Sequence, residues 1–329
     1  MMRAKGYSIV EWMVAMVIGI FLTAGLLSLY VTSNEGTDTS RSDSELQENG
    51  RIAMDLLLND LRMAGFWGDY SGLPLTLDGG VTLSTAASAL STSSDCLNNL
   101  GTGSFPTATA NLRTIWTLHV NSSGSKGTSL ACITLPSGSS LSPDSDILDI
   151  KRLKGAAISD ATTLDTNRFY AATTVSGLRF FNGSETRPTT GEMQHRQIWE
   201  YLRHIYYIRI ENNVPTLHMY YLANSMTDTA VVRGIEKIKI ILAVDNTTTP
   251  DGIIDAYIEP ESVTQKQWDE RRVLGARLFV LVRATEADNQ YTNSNTYTMG
   301  SLSYTPADHY RRLLLQSTVM FNGSGDRTE

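Results

Sequence analysis

Residues 5–19 read KGYSIVEWMVAMVIG, and a single carboxylate, Glu11, stands near the start of an apolar run that extends from Ile9 to Val31 with no other charge and no proline. A charge at hydrocarbon depth costs about 2.5 to 3.5 kcal/mol on insertion scales, so an ionisable residue there needs a partner or a function. The run matches the roughly 20 residues that a helix needs to cross a bilayer. It is longer than a signal-peptide core and continues into a polar helical pattern rather than into small residues at a cleavage site. Arg3 and Lys5 precede it and Glu35, Asp38 and Asp43 follow it. The positive-inside rule then puts the N-terminus in the cytoplasm and the bulk of the chain outside.

Beyond the apolar run the helical period persists. Leu46, Ala53, Leu56, Leu57, Leu61 and Ala64 recur at three- and four-residue intervals between polar neighbours, the pattern of an amphipathic helix with one buried stripe. No proline occurs before Pro74. The spacing therefore predicts one helix from about Tyr7 to Ala64, ended by Gly65 and Gly68, with Gly36 as its weak point. At 1.5 Å per residue it would be roughly 85 to 90 Å long.

From Gly79 to about Asp146 the composition shifts to Ser, Thr, Gly and Ala, as in STAASALSTSSDC and PSGSSLSPDSD, which predicts loops and short strands. The C-terminal half alternates with period two. HIYYIRI (204–210) and TLHMYYL (216–222), joined by ENNVP, read as a hairpin from about His204 to Leu222. IEKIKIILAV, ARLFVLVRA and RRLLLQSTVMF read as further strands. Arg277 and Arg283 alternate with Leu278, Val280 and Val282, as on a strand with one wet face. These patterns give an α+β protein, an antiparallel sheet laid on the apolar stripe of a long N-terminal helix.

Composition narrows the function classes. The chain has 329 residues, 41% hydrophobic, and a formal charge of −7. Loss of Arg3 and Lys5 would leave 25 basic against 34 acidic side chains, so no basic track argues for nucleic acid. The doublets Lys151-Arg152, Arg271-Arg272 and Arg311-Arg312 read as solvated faces or strand edges. The only cysteines, Cys96 and Cys132, both lie beyond the apolar run in what would be an oxidising compartment, where a disulfide is the simplest assignment. Neither has the spacing of a zinc ligand. The stretch DNTTTPDGIIDAYIEPE gathers Asp245, Asp251 and Asp255 around a glycine. Calcium suits such oxygens, but the spacing is not that of a twelve-residue EF-hand loop, and a polar inter-strand turn is the plainer reading. No cofactor is otherwise implied.

Catalytic patterns are thin: G-x-S-x-G, H-E-x-x-H and the phosphate-binding loop are absent from the sequence. The five histidines, His119, His195, His204, His218 and His309, are scattered. His204 and His218 read as strand residues rather than bases. Trp199, Tyr201, Tyr206, Tyr207, Tyr220 and Tyr221 read as cross-strand packing, with an exposed recognition surface as the alternative. The expectation is a protein that is not an enzyme.

The string Lys5-Gly6-Tyr7-Ser8-Ile9-Val10-Glu11 followed by an apolar helix resembles the class III signal of type IV prepilins and pseudopilins. QENGRIAMDLLLNDLRMAGFWG, VVRGIEKIKIILAVD, an Asp-Gly-x-x-Asp turn, a tryptophan, VLGARLFVLVRA and YRRLLLQSTVMFN together resemble PilW-type minor pilins and, more loosely, the J-type minor pseudopilins of type II secretion. The segment from Pro74 to Pro188 carries no motif of that family. The resemblance implies the type IV pilin fold, with a leader at 1–6, a transmembrane or filament-core helix at 7–31, its amphipathic continuation at 32–65, and a periplasmic β-rich domain at 66–329 with an insertion at about 79–146. It implies cleavage by a prepilin peptidase after Gly6, methylation of Tyr7, and pairing of Glu11 with a neighbouring subunit's amine. Two opposite charges in a low dielectric offset each other's desolvation when paired, while either alone is costly.

The function it implies is initiation of type IV pilus assembly within a tip-located minor pilin complex serving twitching motility, adhesion or DNA uptake. The partners would be other minor pilins, the major pilin, the inner-membrane assembly platform and a tip adhesin. Location would be the inner membrane, then the pilus. Two alternatives stay open: a J-type pseudopilin, and a membrane-anchored periplasmic enzyme or binding domain.

Overall fold

A computed structural model describes residues 8–72, 75–90, 95, 103–108, 112–127, 130 and 132–321. Helix α1 spans Ile9–Arg62 without a break, 54 residues, and passes through Gly36 as regular helix. Ser8 caps its start and Met63 its end; Gly65 and Gly68 follow at φ 78° and 63°, left-handed values that glycine adopts freely. Two short helices, α2 (Thr85–Ser88) and α3 (Gln265–Asp269), each begin with a hydroxyl cap.

The strands are β1 (Val81–Leu83), β2 (Ile115–His119), β3 (Ser140–Leu141), β4 (Asp146–Leu153), β5 (Phe169–Thr173), β6 (Leu178–Asn182), β7 (Gln197–Glu211) and β8 (Val214–Leu222). They continue with β9 (Met226–Arg233), β10 (Ile235–Val244), β11 (Ala256–Ile258), β12 (Val273–Arg283), β13 (Tyr297–Met299), β14 (Leu302–Tyr304) and β15 (Arg312–Met320). Nine of them form one sheet around β7, whose first residues pair with β5 and whose later residues pair with β4 on one side and β8 on the other. All its pairings are antiparallel except β1 with β6. A second sheet runs β11-β10-β12-β15, all antiparallel.

The hairpin β7–β8 closes through Asn212-Asn213, with Glu211 opposite Val214. Both asparagines have positive φ, 48° and 63°. That is the backbone of a type I′ turn, whose twist matches that of the strands it joins.

The largest core lies where α1, the four-stranded sheet and the β4–β7–β8 part of the nine-stranded sheet meet. Leu46, Ala53, Leu57, Leu58 and Leu61 of α1 pack with Ile238, Ile240, Leu278 and Val280 and with Tyr206, Ile208 and Leu217. The opposite face of the four-stranded sheet is covered by the β13–β14 hairpin, where Tyr297 and Met299 rest on Ile241, Phe279 and Leu281. Every residue of β10 is consequently buried. The one wet face read from Arg277 and Arg283 is therefore corrected in part: Arg283 is buried, with its guanidinium over Tyr310, while Arg277 is half-buried under Tyr257.

Of the basic doublets, Lys151-Arg152 lies inside the nine-stranded sheet on β4, while Arg312 opens the edge strand β15 as expected. Lys151 is fully buried beside Asp149 at 2.9 Å, and Arg152 grips Asp60. Arg272 pairs with Glu270, and the buried Arg312 side chain holds both Glu236 and Asp308. Two covered sheets leave few outward faces, so cations on their strands turn inward and require carboxylates. The aromatic cluster follows the packing reading: Tyr201, Tyr206 and Tyr207 are buried, and Tyr207 stacks on Tyr220 at 5.7 Å.

Candidate functional site

The first feature with functional content is the free half of α1. Ile9–Tyr30 is 22 residues of mean hydropathy 2.2, long and apolar enough to cross a membrane, and none of it is buried within the chain. Trp12, Met16, Phe21 and Leu26 are all more than half exposed. Such a stripe of exposed apolar side chains requires lipid or other protein around it.

At its head, Ser8 accepts from the Val10 N–H through its hydroxyl (3.3 Å) and donates its own N–H to the Glu11 carboxylate (2.8 Å). Two of the helix's unpaired N–H groups are thereby satisfied. Glu11 is exposed and takes this contact through one oxygen. Gly6 and Tyr7, the processing residues implied by the resemblance, lie outside the described residues.

The second feature is the junction where α1 meets the domain. At Gly50 the helix comes close to the sheet: a Cβ there would stand 2.6 Å from Leu315 Cδ1 and 2.9 Å from Val282 Cγ2. Nearly three turns further on, the stripe admits a charge. Asp60 is buried, and its two oxygens are shared among Arg152 (2.6 Å to Nη2), His204 Nδ1 (2.5 Å) and the Tyr206 hydroxyl (2.5 Å). Burial pushes this carboxyl up, but the His204 hydrogen bond and charge, with Arg152 and Tyr206, outweigh it and hold the group at about 2. These contacts tie the helix to β4 and β7 directionally, which apolar packing alone does not do. Sequence reasoning missed Asp60 and Gly50. The signal for Asp60 was a carboxylate set between Leu57 and Leu61 on a stripe otherwise apolar.

Deeper in the nine-stranded sheet, Arg203 is fully buried and contacts Asp149 through two nitrogens (3.2 and 2.9 Å), the Asp95 carboxylate (3.1 Å) and the Ser104 hydroxyl (3.0 Å). Burial raises Asp149, and Arg203 and Lys151 outweigh that, holding it below the usual carboxylate range. The charges of this cluster are buried and paired with one another, the geometry of a satisfied structural network.

The aspartates of the 245–261 loop serve the loop itself. The buried Asp245 carboxylate accepts from Thr247 N–H and hydroxyl and from the N–H groups of Asp251 and Gly252, at 2.7 to 3.2 Å. Asp255 accepts from Asn246 N–H and Asp251 from Ile253 N–H. Asp245, Asp251 and Asp255 do not bring their oxygens together as one ligand set. Of the cysteines, Cys132 is half-buried and is not a free thiol, while Cys96 lies outside the described residues. His204 pairs with Asp60 and His218 with Asp228, each lying on a strand.

Residues 205–322 match the family model of type IV pilus-assembly protein W, just over a third of the chain. The matched span runs from the middle of β7 past the end of β15, and so contains the whole four-stranded sheet on which α1 docks. This marks the chain as a protein related to the type IV pilus and supports a role in pilus assembly. No curated protein and no solved structure matches it.

Proposed function

We propose that the chain is a minor pilin that helps to initiate type IV pilus assembly, as a non-catalytic subunit of a complex at the filament tip. The observation that carries this reading is the conjunction on one helix: α1 docks its turns from Leu46 on against the family-matched sheet and leaves a membrane-length stretch, headed by Glu11, unburied by the described residues. The Glu11 carboxylate then has one oxygen for the helix's own first turn and one for a neighbouring subunit's N-terminal amine. The partners on this reading are other minor pilins, the major pilin, the prepilin peptidase and the inner-membrane platform.

Glu11→Ala and Glu11→Gln test it. Both variants should insert in the membrane and keep a folded domain, because the residue touches nothing beyond the first turn. Both should co-purify less with other pilins and yield fewer surface pili. Undiminished partner recovery and wild-type piliation in both would contradict an assembly role for this carboxylate and favour the anchored-domain alternative.

A Cys96–Cys132 disulfide belongs to the same proposal. It would close a loop of about 37 residues in the Ser/Thr-rich segment and restrict the unfolded chain by roughly 3 to 4 kcal/mol in the entropy model. Non-reducing peptide mapping should recover the two cysteine peptides linked; alkylation of both as thiols in the native protein would refute the bond.

A further inference from the structure

The open edge of β10 next to β11 is closed by side chains rather than by a strand, and one of them stands in a set of groups that the fold alone does not explain. Ser145 accepts from the Ile238 N–H (3.0 Å) and Asp146 Oδ2 from the Ile240 N–H (2.8 Å). This fixes Asp146, which is buried, and leaves its other oxygen pointing to His119 at the end of β2. His119 Nδ1 lies 2.8 Å from Asp146 Oδ1 and 3.8 Å from Glu261 Oε1. One ligating atom from each of the three residues falls within 4.8 Å of the others.

We infer that His119, Asp146 and Glu261 form a binding site for one divalent transition-metal ion of the zinc type. An imidazole nitrogen with two carboxylate oxygens is a ligand set such an ion takes. With metal–ligand bonds of about 2.0 to 2.2 Å, tetrahedral ligands stand about 3.3 to 3.6 Å apart, between the 2.8 and 3.8 Å at which His119 meets Asp146 and Glu261. Glu261 is about half exposed, on the short turn Pro260–Ser262, and has the freedom to complete the set.

Charge supports the same occupant. Asp146, Glu259 and Glu261 face one ammonium, that of Lys239, which lies 3.2 Å from Asp146 Oδ1 and 2.9 Å from Glu259. With a neutral imidazole, two negative charges stay uncompensated, the charge of one divalent cation. Lys239 keeps Glu259 as its partner when the ion takes Asp146.

An independent observation lies beside the site. Thr117, two residues before His119 and on the same face of β2, is buried, and its hydroxyl has no hydrogen-bond partner among the described residues. A buried hydroxyl without a partner is costly. A water on the ion's open coordination position would supply that partner. The bound ion would join β2, an edge strand of the nine-stranded sheet, to the Pro260–Ser262 turn beside the four-stranded sheet.

The test uses the untagged full chain in detergent, freed of metal by chelation. Zinc chloride should raise its melting temperature by a few degrees, on the order of 2 to 4 °C, saturating near one equivalent, while magnesium chloride leaves it unchanged. Cobalt(II) should develop a visible d–d absorption on binding, a readout that does not depend on stability. His119→Ala and Glu261→Gln should each abolish the zinc shift and weaken the cobalt band. Glu261→Gln alters a half-exposed side chain and keeps the test readable if His119→Ala fails to fold. Absence of both the zinc shift and the cobalt band in the unaltered chain would overturn the assignment. So would full retention of both signals in Glu261→Gln.

Discussion

At Asp60 a carboxylate occupies the place where the apolar stripe of α1 would otherwise continue, and the consequences can be read in pH. Its carboxyl is held at about 2 against an ordinary 3.8. A depressed folded-state pKa means stability that is present above the unfolded value and lost as pH falls through the folded one, here between about 4 and 2. The shift corresponds to about 2 to 3 kcal/mol. Asp60→Asn should therefore destabilise the full chain by about that amount at pH 7 in urea denaturation, and the difference from the unaltered protein should shrink between pH 4 and pH 2. A difference that stays constant over that interval would mean that Asp60 is not the titrating latch. The sequence shows the anomaly, a lone acid between Leu57 and Leu61, but not its partners. Arg152, His204 and Tyr206 lie 92 to 146 residues away, and only the pairing of β4 with β7 brings them to one face.

Helix α1 and the β7–β8 hairpin were legible because each carries its own period. The stripe from Leu46 to Ala64 repeats every three to four residues, and HIYYIRI and TLHMYYL alternate around a turn that two asparagines can adopt. What was not legible is which strand faces are covered. Lys151 and Arg312 read as outward residues because a strand's period does not say that a second layer lies above it. Residue Arg113 meets the Lys151 ammonium through its carbonyl, and Tyr304 of β14 lies over Arg312, contacts between distant segments. The helix–sheet contact also has a local requirement. Gly50 was not singled out in the sequence, whereas Gly36, which was, has open space around it. Gly50→Val should force Leu315 and Val282 apart and cost about 1 to 3 kcal/mol, measured as a lower melting temperature of the full chain. Gly36→Ala should be neutral or slightly stabilising. The reverse order would show that α1 does not approach the sheet as closely as the structure has it.

On the scale of the whole molecule, the chain divides its helix between two environments. The turns from Leu46 on are buried in a core built largely with residues 205–322, and Ile9–Tyr30 is left bare, long and apolar enough to cross a membrane. The middle of the chain has its own aromatic core around Phe105, Phe180 and Tyr201, and it also reaches the docking surface of α1 through Ile115, Leu148, Ile150 and Arg152. The central claim is that this helix is an assembly element of a pilus subunit and not an ordinary anchor, and the two differ in how the chain begins once made. Mass spectrometry of the N-terminal peptide, from cells with and without an active prepilin peptidase, tests this most directly. The account predicts a mature protein that starts at N-methylated Tyr7 when the peptidase is active and retains Met1–Gly6 when it is not; retention of those residues in both strains would contradict it.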